Sequence, residues 1–452
     1  MKKLLALFCL CFAALAFAQQ TKSPKYIFLF IGDGMSTPQR MVANEYARAT
    51  GHGDLTLNSL PMQGTTRTCS ANSIVTDSAA AATAIACGEK TNNGRIGMSA
   101  DGNTRLESVA EVARDCGRKV GIVTSVTINH ATPSGFYGHQ QNRGMYYQLG
   151  LDLIASNFDY FGGGGLGGVD KVNKSASYYK GDLYALAAEA GYTVTSTRAQ
   201  LEALKPGCGK VFARGADHEL PYFLDMHDDN LKLYEFVTKG IELLQDAPKG
   251  FFMMVEGGSI DWCGHANDAA TNLSEVLQLD LAVREAVKFA QAHPDETLII
   301  VTGDHETGGM TMGFAGTGYA MYVDRLANQK CSTGAFAGIL RAARKNNAEF
   351  SFEDAKKLIN QYFGFDFTGD SVMKMNDNDL QRLQADFDSG NDGNLANTCR
   401  RIISEKAGIG WTSGAHTALP VLTTSMGPCS DEFTGFYENT EISRRLKAIL
   451  KR

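Results

Sequence analysis

The sequence predicts an α/β fold, a central and mostly parallel sheet with helices on both faces and an inserted cap region. Three observations carry this. Short apolar runs recur along the chain: "YIFLFI" (26–31), "VGIVTSV" (120–126), "FFMMV" (251–255) and "TLIIVT" (297–302). They alternate with helical stretches such as "RLESVAEVARD" (105–115) and "NLSEVLQLDLAVREAVKFAQA" (272–292). A strand that is apolar at every position has both faces covered, as in a parallel sheet lying between helices. Finally, the first, third and fourth runs lead at once into acids, in "GDG", "EGGSID" and "GDHE". Ligands of open α/β sheets bind at the carboxyl ends of strands, and clustered carboxylates repel one another there unless cations lie between them.

Taken in chain order, residues 1–18 read as a secretory signal peptide cut before Gln19: two lysines, a short apolar stretch and a small-x-small ending at Ala16-Phe17-Ala18. Export into a bacterial periplasm or exterior is the expectation. No later stretch is apolar enough to span a bilayer. The stretch "VTDSAAAATAIACG" (75–88) starts a helix, with Thr76 or Asp77 as cap and alanines of high helix propensity behind Ser78. "GGGLGG" (163–168) reads as a flexible turn after "FDYF", since no clear helical run opens inside it. Residues from about 310 to 410 carry polar helical segments such as "SFEDAKKLINQYF" and read as an insertion capping the core. Within it, "DFDSGNDG" (386–393) lacks the glycine register and the terminal glutamate of a calcium loop and reads as a solvated acidic turn.

A net charge of −6 over 452 residues is mild and points to neither nucleic acid nor an anionic membrane as partner. A small anionic substrate would then need local positive charge, from metals or a specific arginine. Eight cysteines remain after cleavage (Cys69, Cys87, Cys116, Cys208, Cys263, Cys331, Cys399 and Cys429), some of which an oxidising compartment is expected to pair, with the connectivity open. No Cys-x-x-Cys is present, which argues against thiolate zinc.

Carboxylates and imidazoles collect near the strand ends: Asp33 in "FIGDGMS", Glu256, Asp261 and His265 in "VEGGSIDWCGH", Asp304 and His305 in "TGDHETGG", and His416 in "SGAHTALP". Carboxylate with imidazole is the donor set of catalytic zinc, and carboxylate with hydroxyl suits magnesium. Asp261 and His265, four apart, share one face of a helix.

These segments resemble the alkaline phosphatases from Tyr26 to about residue 145, from 251 to 306, and around 411 to 442. "TDSAAAATA" is similar to that family's nucleophile signature, and "GDGM", "VEGGSID" and "DH" accompany it. The resemblance implies one catalytic domain over 19–452 with a cap or crown insertion around 310–410. It implies Ser78 as nucleophile and Arg143 in "HQQNRG" as the arginine that grips phosphate. It implies two zinc ions and one magnesium ion: Asp261, His265 and His416 for the first zinc, Asp33, Asp304, His305 and Ser78 for the second, and Asp33, Glu256 and Thr132 in "NHATPSG" for magnesium. It implies a homodimer acting on small phosphate monoesters.

The physical reading agrees. A divalent ion favours the serine alkoxide, and the start of the helix behind Ser78 offers N–H groups to phosphate oxygens. The fork of Arg143 takes two non-bridging oxygens, which tilts the substrate towards monoesters. Two positions depart from the best-known bacterial member: His130 stands where that enzyme has aspartate, and Trp262 where it has lysine. They leave open whether the third site holds magnesium or zinc. The rival readings are a phosphodiesterase or sulfatase of the same superfamily and a non-catalytic periplasmic binder of metal or phosphate. The former is disfavoured by Arg143 and by the absence of Cys-x-Pro-x-Arg, the latter by a serine at a helix start.

Overall fold

In the computed structural model, which describes residues 23–452, the fourteen strands among them are, in chain order, β1 (Tyr26–Gly32), β2 (Met62–Arg67), β3 (Lys119–Thr124), β4 (Tyr160–Gly163), β5 (Tyr192–Thr195), β6 (Lys210–Arg214), β7 (Phe251–Gly257), β8 (Thr297–Gly303), β9 (Glu306–Thr307), β10 (Met310–Met312), β11 (Ile409–Trp411), β12 (His416–Thr417), β13 (Val421–Met426) and β14 (Gly435–Glu438). The proposed leader, residues 1–18, lies outside the described residues.

β1 shows why these runs are strands. All seven of its residues are buried. Its side chains divide between two cores, Phe28 and Phe30 joining one apolar cluster and Ile27, Leu29 and Ile31 the other. Strand periodicity sends successive side chains to opposite faces, so a strand buried on both sides must be apolar throughout. The ten-stranded sheet has the order β14-β2-β13-β8-β1-β7-β3-β4-β6-β5. It is parallel except at β13, which runs antiparallel to both β8 and β2. Helices cover both faces. Val276, Leu279 and Val283 of the long helix Ala269–Ala292 fill the first core, and Ile85 of helix Ser78–Cys87 with Ile442 and Leu446 of helix Thr440–Leu450 fill the second.

The segment 310–410 forms β10, β11 and helices including Thr333–Asn346, Phe352–Phe363 and Asp392–Ala407. Its Phe336, Leu340, Ile359, Phe363 and Ile402 belong to the same apolar cluster as Phe28 and Phe251. "GGGLGG" differs from its reading as a flexible turn. Residues 163–167 are buried at the end of β4, and a Cβ at Gly164 would lie 2.3 Å from the Val126 carbonyl oxygen. The glycines are there for close backbone approach, which sequence pattern alone does not distinguish from mobility.

The expected cysteine pairing is corrected as well. Cys69, Cys87, Cys116, Cys208, Cys263, Cys331 and Cys399 are all thiols. Burial pushes Cys87 and Cys331 up to about 12 and Cys263 well above its ordinary value, so these three are protonated and inert. Among the described residues no helix is long and apolar enough to cross a membrane.

Candidate active site

Parallel register brings the acids together. Gly32 pairs with Gly257 on one side and with Gly303 on the other, so β1, β7 and β8 end at the same level. Asp33 and Asp304 follow directly, and Glu256 is the penultimate residue of β7, inside the strand and not after it. All three are fully buried. Gly34, at φ +73°, makes the turn after Asp33 possible: a Cβ there would stand 2.7 Å from the Asp261 backbone. The freed Gly34 N–H donates to Asp304 Oδ1 at 3.0 Å.

Helix Ser259–His265 puts Asp261 and His265 one turn apart, as their spacing predicts. His265 Nε2 lies 3.4 Å from Asp261 Oδ2 and 3.1 Å from His416 Nε2, while His416 Nε2 lies 3.4 Å from Asp261 Oδ1. Backbone carbonyls hold the far side of both rings, Gly414 for His265 Nδ1 and Thr76 for His416 Nδ1, each at 2.8 Å. His305 stacks on His416 with ring centroids 3.7 Å apart. Its Nε2 lies 3.3 Å from Asp33 Oδ1, 3.2 Å from Asp304 Oδ2 and 3.2 Å from Ser78 Oγ. Ser78 is the first residue of its helix, and its hydroxyl also reaches Asp33 Oδ1 at 3.5 Å. Thr132 Oγ1 donates to Asp33 Oδ2 at 3.2 Å, on the short helix Ala131–Ser134 that His130 precedes.

Three groups of donor atoms converge closely enough to share an ion: Asp261, His305 and His416; Asp33, Asp304 and His305; and Asp33, His130 and Glu256. His305 thus bridges the first two groups, with His265 beside the first. The electrostatics fit divalent cations. Burial, then the charges of Asp304, Asp261 and Glu256, push the Asp33 carboxyl well above its usual range. Burial raises Glu256 to about 8 and Asp304 to about 7, with neighbouring carboxylates adding to each. Asp261 goes the other way, because hydrogen bonds from His265 and His416 overcome its burial. Burial holds His130 down to about 4 and His305 well below its ordinary value, so both rings are neutral donors. Glu256 Oε1 and His130 Nδ1 are buried without any hydrogen-bond partner. Buried anionic and neutral acceptors without counter-charge are stable only with protons or cations among them.

Arg143 stands beside the nucleophile's helix. Its Nη1 donates to Asp77 Oδ2 at 3.2 Å, while Asp77 Oδ1 caps the helix by accepting from Ala80 N–H at 3.0 Å. Trp262, on the helix of Asp261, packs edge-on against His130 at 5.8 Å. The fold thus brings the residues singled out from the sequence together around the ends of β1, β7 and β8, with Arg143 reaching them through Asp77.

The family model for alkaline phosphatase matches residues 24–452. The chain belongs to the alkaline phosphatase family. Alkaline phosphatase 3 of Bacillus subtilis is 30% identical over 389 residues, covering 83% of this chain and 77% of its own. The cold-active alkaline phosphatase of a psychrophilic Shewanella superposes with a TM-score of 0.81 at 29% identity, covering 94% of this chain and all of that one. A histidine-to-aspartate mutant of the alkaline phosphatase from the Antarctic bacterium TAB5, with magnesium bound in its M3 site, superposes at 0.68 with 27% identity, covering 96% and 99%. The protein is a phosphomonoesterase.

Two residues of this alkaline phosphatase site, Thr307 and Thr124, were not singled out from the sequence, and a third, Asp77, was read only as a cap. Thr307 Oγ1 donates to Asp261 Oδ1 at 2.5 Å and contacts His305 Nδ1 at 3.2 Å. Thr124 donates to Glu256 Oε2, which the β3–β7 register places directly opposite it. Asp77 was legible as a cap but not as the anchor of Arg143. Thr307 sits inside "TGDHETGG" and was findable there, whereas Thr124 and the second role of Asp77 depend on pairing across the fold.

Proposed function

We propose that this alkaline phosphatase is exported and hydrolyses small phosphate monoesters through a phosphoserine at Ser78, with two zinc ions and one magnesium ion. The observation that carries the reading is the position of Ser78 Oγ, within 3.2 Å of His305 Nε2 and 3.5 Å of Asp33 Oδ1, on the two residues that recur among the donor groups. Asp261, His265 and His416 would hold the first zinc, Asp33, Asp304, His305 and the Ser78 oxygen the second, and Asp33, Glu256 and Thr132, with His130 alongside, magnesium. Such ions supply charge to phosphoryl oxygens and lower the pKa of oxygen nucleophiles.

The chain's own groups do the rest. Ser78 Oγ attacks phosphorus in line with the ester oxygen, whose bond to phosphorus breaks so that it departs as the alcohol with a proton from solvent; water then attacks the phosphoserine from the vacated side, the Ser78 Oγ–P bond breaks, and inorganic phosphate leaves the restored serine. The N–H groups of Ser78 and Ala79, at the first two positions of the helix, have no intrahelical acceptor and can bind phosphoryl oxygens. Arg143, oriented by Asp77, offers two more donors. A cleft of about 420 Å³ with His130, Tyr146, Lys171, Tyr178 and Trp262 in its walls adjoins the site and leaves room for the organic part of the ester. Export rests on residues 1–18 and on the family resemblance, and the homodimer on the family resemblance alone.

Ser78→Ala tests the reading. The variant is expected to form no phosphoenzyme on acid quench after turnover of an aryl phosphate, while metal content by mass spectrometry stays close to wild type. A wild-type phosphoryl group mapped to any other residue would overturn the assignment.

A further inference from the structure

His416 is weakly placed by its own strand. β12 is two residues long and pairs only with β9, in a sheet of two strands, with His416 opposite Thr307 and Thr417 opposite Glu306. A ladder that short does not hold its register unaided. Asp33 and Asp304 are in a different position, because each follows directly on a seven-residue strand of the central sheet, β1 or β8. The strand of His416 needs a clamp that theirs do not.

The side chain of Glu306, the residue after His305, is placed to be that clamp. It is fully buried, and among the described residues no lysine, arginine or histidine pairs with it. Four neutral donors surround its carboxylate instead. Oε1 accepts from Gln39 Nε2 at 2.7 Å and from Met310 N–H at 3.1 Å, and Oε2 accepts from Gly309 N–H at 3.0 Å and from the Thr417 hydroxyl. The two backbone donors come from the turn that Gly308 and Gly309 make at φ +94° and +59°. Successive N–H groups in such a turn form a concavity for an anion, and here the chain supplies its own.

The donors belong to separate segments. Gln39 also donates from Nε2 to the Thr307 carbonyl at 3.0 Å, and its Oε1 accepts from Ser36 N–H at 3.1 Å, while the Ser36 hydroxyl donates to the Pro420 carbonyl at 2.8 Å. One carboxylate thereby ties the turn after Asp33, the turn after His305 and the strand of His416 to one another. Asp261 is joined to the same unit through Thr307, the ladder partner of His416, whose hydroxyl donates to Asp261 Oδ1 at 2.5 Å.

We propose that Glu306 is a positioning residue for the first zinc site: without bonding to any metal donor atom, it fixes His416 relative to Asp261 and so sets the affinity of that site and not of its neighbour. The inference rests on the two-zinc reading given above. An amide cannot replace the carboxylate, because Glu306→Gln turns one acceptor into a donor facing the N–H of Gly309 or of Met310.

The test is zinc occupancy, measured by mass spectrometry after dialysis of each protein against buffers of graded free zinc. His416→Ala identifies the equivalent of zinc that belongs to the first site. Glu306→Gln is expected to release that equivalent at about 10–100-fold higher free zinc than wild type and to keep the other unchanged. Thr417→Val, which removes a single donor to the carboxylate, should shift it in the same direction by less, and Thr417→Ser, which keeps the hydroxyl, should restore wild-type binding. An unmoved first equivalent, or two equivalents moving together, would overturn the proposal, the latter by making Glu306 a support of the fold at large. If Glu306→Gln does not fold, the Thr417 pair decides: a shift in both or in neither overturns it. Wild-type protein that takes up no zinc would overturn the two-zinc reading and this inference with it, whereas two wild-type equivalents that Glu306→Gln leaves in place would overturn the role of Glu306 alone.

Discussion

Asp77 does two jobs with two oxygens, capping the nucleophile's helix with one and holding Arg143 with the other. The arginine is thereby aimed without being used up, since one carboxylate oxygen takes only one of its five donors. Arg143→Ser is expected to lower kcat/KM for monoesters by one to two decades and for diesters by less, because only the monoester offers the extra anionic oxygens. Parallel measurement on an aryl monoester and the matching diester checks this, and equal losses would make Arg143 a structural residue. His130 and Trp262 pose a second question at this scale. A neutral imidazole among Asp33 and Glu256 suits zinc better than magnesium, whereas a carboxylate would orient magnesium's waters. His130→Asp with Trp262→Lys is expected to raise magnesium affinity about 10–100-fold and to strengthen phosphate inhibition. Magnesium and phosphate titrations that coincide for wild type and double variant would show that the pair does not tune the site.

At the scale of elements, the helix Ser78–Cys87 is buried at all ten positions and so must be built from small residues. A Cβ at Gly135 would already meet Ala82 Cβ at 2.8 Å, which shows how tightly the nucleophile's helix is seated. The long helix Ala269–Ala292 carries a different device. Its Glu275 accepts from Phe223 N–H at 2.6 Å, and burial, only partly relieved by that bond, raises its carboxyl from 4.5 to about 8. Between those values the folded chain holds a proton that the unfolded chain has lost, so this group costs stability as pH rises through the window and costs most above pH 8. Glu275→Gln keeps an acceptor for Phe223 and removes the titration. Its melting temperature relative to wild type should climb from about pH 5 to about pH 8, by an amount set by a penalty of order 5 kcal/mol. Parallel curves would mean that Glu275 is solvated or paired in solution.

Across the whole molecule, three strand ends at one level gather more buried carboxylate than the fold can carry unaided. Cations that bind only the folded state then stabilise it by mass action, by about 3–4 kcal/mol when they exceed their dissociation constants a hundred- to a thousandfold. Chelation should therefore abolish monoesterase activity and lower the melting temperature by several degrees, and zinc plus magnesium should restore both. A melting temperature indifferent to chelator would show that the clusters balance their charge with protons alone. The segment 310–410 shares the apolar cluster of the sheet, so unfolding should remain a single transition in both states.

The sequence by itself determined the sheet, the helices behind it and the donor set, because apolar strands, alanine-rich helix starts and runs of Asp, Glu and His are local patterns whose meaning survives without coordinates. Asp33, Ser78 and the pair Asp261 and His265 are legible in this way. What only the tertiary structure decided is proximity. His305 bridging two donor groups, Thr124 opposite Glu256, Asp77 reaching Arg143, and the glycines of 163–168 packed against the Val126 backbone all arise from segments far apart in the chain. Register sets those meetings, and register is fixed by the burial of two whole faces at once, which no short stretch of sequence contains. The same holds for the cysteines: their number and compartment invited pairing, but the fold carries seven of them to separate places, where burial keeps Cys87, Cys263 and Cys331 as thiols.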